Sequence, residues 1–429
     1  MYKEFTLAEI AKIIKGKEEI DNLELVRRVC VDSRQVKPGD LFFALKGEKT
    51  DGHLFVNEAL KRGAVGVVVQ KSQNLKQQIL VSDTLYALGE LARNYRQRIP
   101  VRVIGITGTN GKTTVKNLIG AVIREKFSVH CSERNYNSLI GLPLSILKMS
   151  GTEEFAVLEM GTSSPGEIKR LCEIARPAIG IITAVGPGHI EKLGSIAGIK
   201  QEKLSLFDSL PQGSFAMIGE GLNLNDIKND KIEILQVSYR DIEEVKLKED
   251  GSYFTYKKEN FFTPLLGMGN VYNCLFAISL ATKIGIDINS QKRAISMIRP
   301  ESGRMEPIRK DGILIINDSY NANPLSMKSA IDFVAQLPRR RILVLGDMRE
   351  LGSNSESYHK EIGEYARPRC DLLLSLGEES ILYQGRHFKE GVRLIRFLLE
   401  SLQGREVVLF KASRALEFEK LVNLFLKFL

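Results

Sequence analysis

The residues best suited to chemistry come first at Thr107-Gly108-Thr109-Asn110-Gly111-Lys112-Thr113-Thr114, between an apolar run, Val101–Ile106, and a helical stretch, Val115–Phe127. A glycine-rich turn at a helix start offers backbone N–H groups to phosphate. A lysine there reaches β and γ oxygens, and a hydroxyl one residue later can ligate Mg²⁺. The spacing departs from the strict phosphate-loop pattern by one residue, because Ile106 holds the leading position and the glycine is Gly105. A plain glycine turn with a chance lysine is the bland alternative; the strand–loop–helix context favours nucleotide.

Two further strand ends carry candidate groups. Phe155–Leu158 reads as a strand running into Glu159, whose carboxylate would lie beside the phosphate loop and suit a metal. Ala178–Val185 reads as another, ending in Gly186-Pro187-Gly188-His189-Ile190-Glu191. Ligands of doubly wound sheets gather at such carboxyl ends. Magnesium prefers oxygen, so one imidazole among carboxylates is an unusual but acceptable ligand. The next helix is expected to start at Ser195 as N-cap, with Ile196, Ile199, Leu206 and Phe207 as its apolar stripe. Lys203 falls within that stripe and Lys200 at its edge. An inward lysine either snorkels to solvent or is chemically employed, for example as a carbamate made with carbon dioxide.

These groups need parallel sheets to hold them, and the chain alternates apolar runs with helical patterns throughout, the mark of α/β layers. Its 429 residues allow two to four domains. Three are expected: 1–98, 99–300 and 301–429. The first carries strand-like Leu41–Leu45 and Val65–Val69, helical Leu54–Arg62 and Thr84–Arg98, and a polar tail before Pro100. The middle one holds an insertion, 213–258, whose alternating stretches, Ile232–Tyr239 among them, suggest antiparallel strands. The third has strands at Ile313–Ile316, Ile342–Leu345, Leu372–Leu376 and Val407–Phe410.

Composition is that of a soluble globular chain, 43% hydrophobic and 26% charged. No apolar run approaches the roughly 20 residues of a membrane span, and the first residues lack a secretory pattern. Five cysteines, never closer than about forty residues, exclude CxxC metal or redox sites and point to a reducing cytosol. The net charge of +9 invites nucleic acid, a membrane surface or polyanionic small molecules.

Taken together, the motifs resemble the Mur ligase family over nearly the whole chain. Thr107–Thr114 is similar to that family's T-G-[TS]-N-G-K-[TS]-T loop, and His189-x-Glu191, Gly194-Ser195 and Lys203 to the segment supplying a histidine and a carbamylated lysine. Gly267–Asn273 resembles the adenine-side G-x-H-N-x-x-N element, with Gly269 where histidine is usual. Ser302-Gly303-Arg304 is similar to the hinge motif. Asn317–Pro324 resembles the D-D-S-Y-N-A-N-P element of the branch that adds a dipeptide, with Asn317 replacing the first aspartate. Leu345–Gly352 is similar to that branch's L-G-D-M-x-E-L-G. Asn135-Tyr136-Asn137 with Gly141–Pro143 resembles its N-x-N-N-x-x-G-x-P loop, and Val31–Arg34 with Lys37–Asp40 its uridine-side domain.

The resemblance implies a three-domain α/β protein with a central phosphate-loop sheet, mostly parallel, and a Rossmann-like C-terminal domain. It implies a cytoplasmic, monomeric, ADP-forming ligase that joins a UDP-N-acetylmuramoyl-tripeptide to D-alanyl-D-alanine through an acyl phosphate. ATP would lie on Gly108, Thr109, Asn110, Gly111, Lys112, Thr113 and Thr114, with Asn270, Asn273, Arg304 and Asp318. Two magnesium ions would be held or ordered by Thr113, Glu159, His189 and a carbon-dioxide-derived carbamate on Lys203. Lys112, Glu159, His189 and Lys203 would form the catalytic set. Ser33, Arg34, Asn135 and Asn137 would meet the UDP substrate, and Tyr320, Asn321, Asn323 and Asp347 the dipeptide. Another Mur-type or a folylpolyglutamate-type ligase is the enzyme alternative. A nucleic-acid-stimulated ATPase is the other, for which Arg341–Asp347 imitates a metal-binding strand. Scattered basic residues and the lack of a stacking platform speak against nucleic acid.

Overall fold

The computed structural model describes residues 5–429 apart from 18–23, 48–49, 74, 76, 134–135 and 189. His189 and Asn135 therefore lie outside the described residues. Three α/β layers follow one another along the chain. The first is built on a four-stranded parallel sheet, Arg28–Cys30, Asp40–Phe43, Gly66–Val69 and Gln78–Leu80 in that order.

The central sheet has six parallel strands. In spatial order they are Glu233–Gln236, Phe215–Glu220, Ile179–Ala184, Arg102–Thr107, Phe155–Glu159 and Val129–Cys131. Their continuous apolar composition follows from burial on both faces. The C-terminal sheet orders Glu306–Lys310, Ile313–Asp318, Glu406–Lys411, Arg340–Gly346, Leu372–Leu376 and Arg386–Phe388. Only the first pair is antiparallel. The expected α/β class, parallel central sheet and Rossmann-like third layer are all present.

The insertion differs from expectation. Phe215–Glu220 and Glu233–Gln236 extend the central sheet in parallel, and the antiparallel strands come later, at Ile242–Lys248, Gly251–Tyr256 and Glu259–Thr263. Glu233–Gln236 is an edge strand with partly exposed side chains, and an edge alternates in sequence whatever its direction. This small sheet also touches the third layer. The carboxylate of Glu249 accepts from Arg339 Nη2 at 2.9 Å, and its carbonyl accepts from Arg309 Nη2 at 2.7 Å.

The Thr84–Gln97 helix packs against helices Gly141–Leu147 and Glu167–Ala175 of the middle layer, within one apolar core that also contains Phe5, Leu41 and Ile79. Its polar tail is thus structural. Arg96 donates to the carbonyls of Ala175 at 2.9 Å, Ile99 at 3.0 Å and Val101 at 2.5 Å, fixing the turn into the central sheet. Burial, with the Arg176 charge nearby, brings its pKa down to about 10, so it remains a cation at neutral pH. Among the described residues no helix is long and apolar enough to cross a membrane, and none of the five cysteines is in a disulfide.

Arg96→Met keeps the apolar stem but strips three carbonyls of their donor. It should lower the urea midpoint of unfolding by the equivalent of roughly 2–4 kcal/mol. An unchanged midpoint would show that water replaces the guanidinium at no cost.

Candidate active site

The phosphate loop lies between the Arg102–Thr107 strand and the Lys112–Ile123 helix. Gly108 and Gly111 adopt φ +153° and +81°, conformations that side-chain-bearing residues rarely take. Space also demands glycine, because a Cβ on Gly111 would stand 2.5 Å from Asn273 Oδ1 and one on Gly108 would collide with the Thr183 hydroxyl. That hydroxyl donates to the Asn110 carbonyl at 2.5 Å, and the Thr109 N–H donates to Ala184 O at 2.8 Å. The loop is thereby stapled to the neighbouring strand.

Lys112 folds back over the loop, its Nζ donating to Gly108 O at 2.8 Å. Burial pushes its pKa down, Glu159 opposes that shift, and Arg304 reinforces it. Thr113 Oγ1 donates to Glu159 Oε2 at 2.8 Å, and Thr114 sits half-buried in the same first turn. Glu159, 2% exposed, closes the neighbouring strand and accepts a second bond from Asn137 Nδ2 at 2.8 Å. Asn137 was expected on the uridine side. The structure places it against Glu159, where the Gly161 N–H donates to its carbonyl and draws its loop beneath the strand end.

Ser195 caps the Ile196–Asp208 helix as expected, accepting from Gly198 N at 3.0 Å. Ile199, Leu206 and Phe207 are buried, but Ile196 is 49% exposed because it lies in the first turn, ahead of the packed face. Lys200 pairs at the surface with Asp226. Lys203 is 3% exposed, and burial with the Lys112 charge brings its pKa down to about 7 against the pull of Glu202. Snorkelling is therefore excluded. Glu202 accepts from the N–H groups of Gly166 at 2.7 Å and Ile168 at 2.8 Å, which ties the Lys203 helix to the loop after Glu159.

The third layer closes the other wall. Arg304 stacks on Tyr320 with its guanidinium carbon 3.8 Å from the ring centre, and its buried Nε has no hydrogen-bond partner, although a Glu301 oxygen lies 3.5 Å away. A phosphate oxygen is the kind of acceptor such a group lacks. Asp318 pairs with buried Lys411 and accepts from Met305 N at 3.0 Å. Lys411 also donates to Asn321 O at 3.1 Å. Sequence reasoning missed Lys411; its one signal is a lysine directly after the apolar run Val407–Phe410.

On the adenine side, Asn273 Nδ2 donates to Asn270 Oδ1 at 3.2 Å, and Asn270 Nδ2 to Leu266 O at 2.9 Å. At Gly269 a Cβ would meet Ser329 Oγ at 3.2 Å, a contact that a small shift of the serine side chain relieves. Asn317 is explained by its neighbour: its amide donates to Glu306 Oε2 at 2.8 Å, where an aspartate would set two carboxylates face to face.

Other candidates are engaged by contacts within the protein. Asn323 binds Asn110 of the phosphate loop and caps the Pro324–Ala335 helix. Asp347 is fully buried and accepts from the N–H groups of Glu378, Glu379 and Ser380, so it organises a turn within the third layer. In the first layer Ser33 donates to Glu58 Oε2 at 2.9 Å, and exposed Arg34 pairs with Asp32 at 2.8 Å.

Phosphate loop, buried carboxylate and buried lysine at the ends of one parallel sheet, faced by a Rossmann-like layer, define a nucleotide-dependent enzyme with a cleft between domains. Three family models match in succession. They are the Mur ligase family catalytic domain over residues 25–104, the Mur ligase middle domain over 106–281 and the Mur ligase glutamate ligase domain over 303–414. The chain belongs to the Mur ligase family. It is 36% identical to the UDP-N-acetylmuramoyl-tripeptide--D-alanyl-D-alanine ligase of Bacillus subtilis, with 97% of each chain covered. To the Escherichia coli enzyme of that name it is 31% identical, again over 97% of each. Among solved structures it resembles crystal structure I of MurF from Acinetobacter baumannii, with TM-score 0.93, 25% identity and 99% of each chain covered. It also resembles MurF ligase from Thermotoga maritima in complex with ADP, with TM-score 0.85, 28% identity, and 94% and 97% of the two chains covered.

The depressed Lys203 pKa has a measurable sign. Unfolded, the amine holds its proton up to its ordinary 10.5; folded, only to about 7. Between those values unfolding takes up a proton, so stability rises with pH; below about 7 the cost of the buried charge is fully felt. In carbon-dioxide-free buffer, Lys203→Met should raise the melting temperature most below pH 7, with the gain fading towards pH 10.5. A gain independent of pH would contradict the depressed value.

Proposed function

We propose that the chain joins UDP-N-acetylmuramoyl-tripeptide to D-alanyl-D-alanine, converting ATP to ADP and phosphate on the way to the cytoplasmic peptidoglycan precursor. The observation that carries this reading is the convergence of Lys112, the Thr113–Glu159 pair and Lys203 on one cleft, in a chain similar along its length to ligases of that name.

The tripeptide's terminal carboxylate attacks the γ-phosphorus, ADP leaves, and an acyl phosphate forms. The dipeptide amine adds to the acyl carbon, loses a proton, and phosphate departs from the tetrahedral intermediate. The difficulty lies in bringing a carboxylate up to a triphosphate. Lys112 and Arg304 supply fixed positive charge along that approach, in a buried setting where it is little screened. Arg304, Asn270 and Asp318 orient the nucleotide, and Ser33 and Arg34 lie on the layer assigned to the UDP moiety. Tyr320 and Asn321 line the side from which the amine arrives. The domain limits near 98 and 300, a monomeric state and indifference to nucleic acid belong to the same reading.

Among the described residues no three His, Cys, Asp or Glu side chains cluster to hold a metal alone. Thr113 Oγ1 and Glu159 nonetheless form an oxygen pair at the phosphate loop, which fits magnesium completed by phosphate and water. Bound there, magnesium would neutralise phosphate charge. Lys203 fits a carbamate, because the neutral amine it carries near pH 7 is the form that adds to carbon dioxide with release of one proton. The resulting anion would relieve the Lys112–Lys203 repulsion and give a second metal an oxygen donor, with His189 as the family's further partner.

Phosphate release should require both a UDP-muramoyl tripeptide and D-alanyl-D-alanine. Release stimulated by DNA in their absence would reject the reading. Lys203→Ala should lose on the order of a thousandfold in kcat, and short carboxylic acids should restore part of it. Full activity in that variant would remove the carbamate.

A further inference from the structure

The contact between Asn323 and the phosphate loop has a geometry that a simple packing contact would not need. Asn323 Nδ2 donates to Asn110 Oδ1 at 2.6 Å, while Asn110 Nδ2 approaches Asn323 Oδ1 at 3.3 Å. The two amides therefore pair reciprocally across the cleft between the middle and C-terminal layers. Neither end is free to turn. Asn323 Oδ1 also accepts from Ser326 N at 2.9 Å as the N-cap of the Pro324–Ala335 helix, so flipping its amide would forfeit that bond. The Asn110 carbonyl is held by the Thr183 hydroxyl, which sets where the Asn110 side chain can point.

The surroundings fit the pair into a notch. Leu325, next along the helix, reaches Gly186 so closely that a Cβ there would collide with its Cδ1. Gly188 lies where a Cβ would be 2.9 Å from Thr109 Cγ2 and 4.0 Å from Asn323 Nδ2. The helix start thus meets the phosphate loop and the Gly-Pro-Gly turn together. Both partners are neutral, so the contact adds no charge beside a triphosphate, and two neutral hydrogen bonds are weak enough to break in each catalytic cycle.

We propose that Asn110 and Asn323 are positioning residues that form a closure latch. The phosphate loop, in the conformation it takes around nucleotide, presents Asn110 to Asn323, and the C-terminal layer docks in response. The latch rests on the ligase reading for its purpose, but its existence can be tested without turnover. Two neutral bonds correspond to roughly a tenfold bias in the open–closed equilibrium.

The test is a double-mutant cycle of Asn110→Ser, Asn323→Ser and the double variant. Serine remains a good N-cap at position 323 but is too short to reach Asn110. Small-angle scattering with and without ADP should show the wild type compacting and all three variants compacting less, by a similar amount. Under saturating substrates each single variant should lose roughly tenfold in kcat, and the double no more than either single, at unchanged melting temperature. Additive losses, or wild-type compaction in the variants, would overturn the latch. Should Asn323→Ser unfold, Asn323→Thr keeps a neutral capping hydroxyl that is likewise too short to reach Asn110 and should match the Asn110→Ser variant; wild-type compaction and kcat in it would overturn the latch equally. If the wild type fails to turn over both acceptors, the ligase reading fails, while the scattering cycle still decides the latch.

Discussion

The structure turns on an imbalance of charge. Lys112 lies within reach of the charges of both Lys203 and Arg304, and the buried carboxylates beside them are already engaged, Glu159 by Thr113 and Asn137 and Glu202 by the N–H groups of Gly166 and Ile168. Burial first, and the neighbouring positive charge second, hold the pKa values of both lysines down. Triphosphate is the charge complement of such a place. Much of the surrounding framework resists collapse of that place. The Thr183 staple fixes the loop, Glu202 ties the Lys203 helix to the strand-end loop, and the continuous parallel sheet fixes the spacing of both.

Local signals made much of this legible from the chain alone. Leu372–Leu376 is a strand with the bounds expected of it, and Ser195 caps its helix, because apolar runs and capping residues act within a few neighbours. Glu159 and Lys203 were found the same way, one as a polar residue at the end of an apolar run and the other as a charge within an apolar stripe. The edge strand Glu233–Gln236 was misread because exposure, not strand direction, sets alternation. The hydrogen-bond partners of Asn137, Asn323 and Asp347 were out of reach, since they lie 22, 213 and 33 positions away. No spacing rule encodes which amide meets which. The Lys411–Asp318 pair, 93 residues apart, is of the same kind.

Departures from family motifs are accommodated by neighbours. Asn317 stands where the related branch has aspartate, and its amide suits the Glu306 carboxylate facing it. Gly269 stands where histidine is usual, and Ser329 of the facing layer approaches closely there. The first contact lies within the C-terminal sheet, while the second lies at the seam between the middle and C-terminal layers.

That seam is fastened differently at its two extremes. Beside the nucleotide cleft the contact is an uncharged amide pair, whereas at the three-stranded insertion Arg339 and Arg309 clasp Glu249. An ion pair at a partly exposed position weakens as ionic strength rises, and a neutral amide pair does not. The motion proposed for the C-terminal layer is then that of a door on a pivot rather than of two bodies separating. Salt would loosen the pivot and leave the catch unaffected.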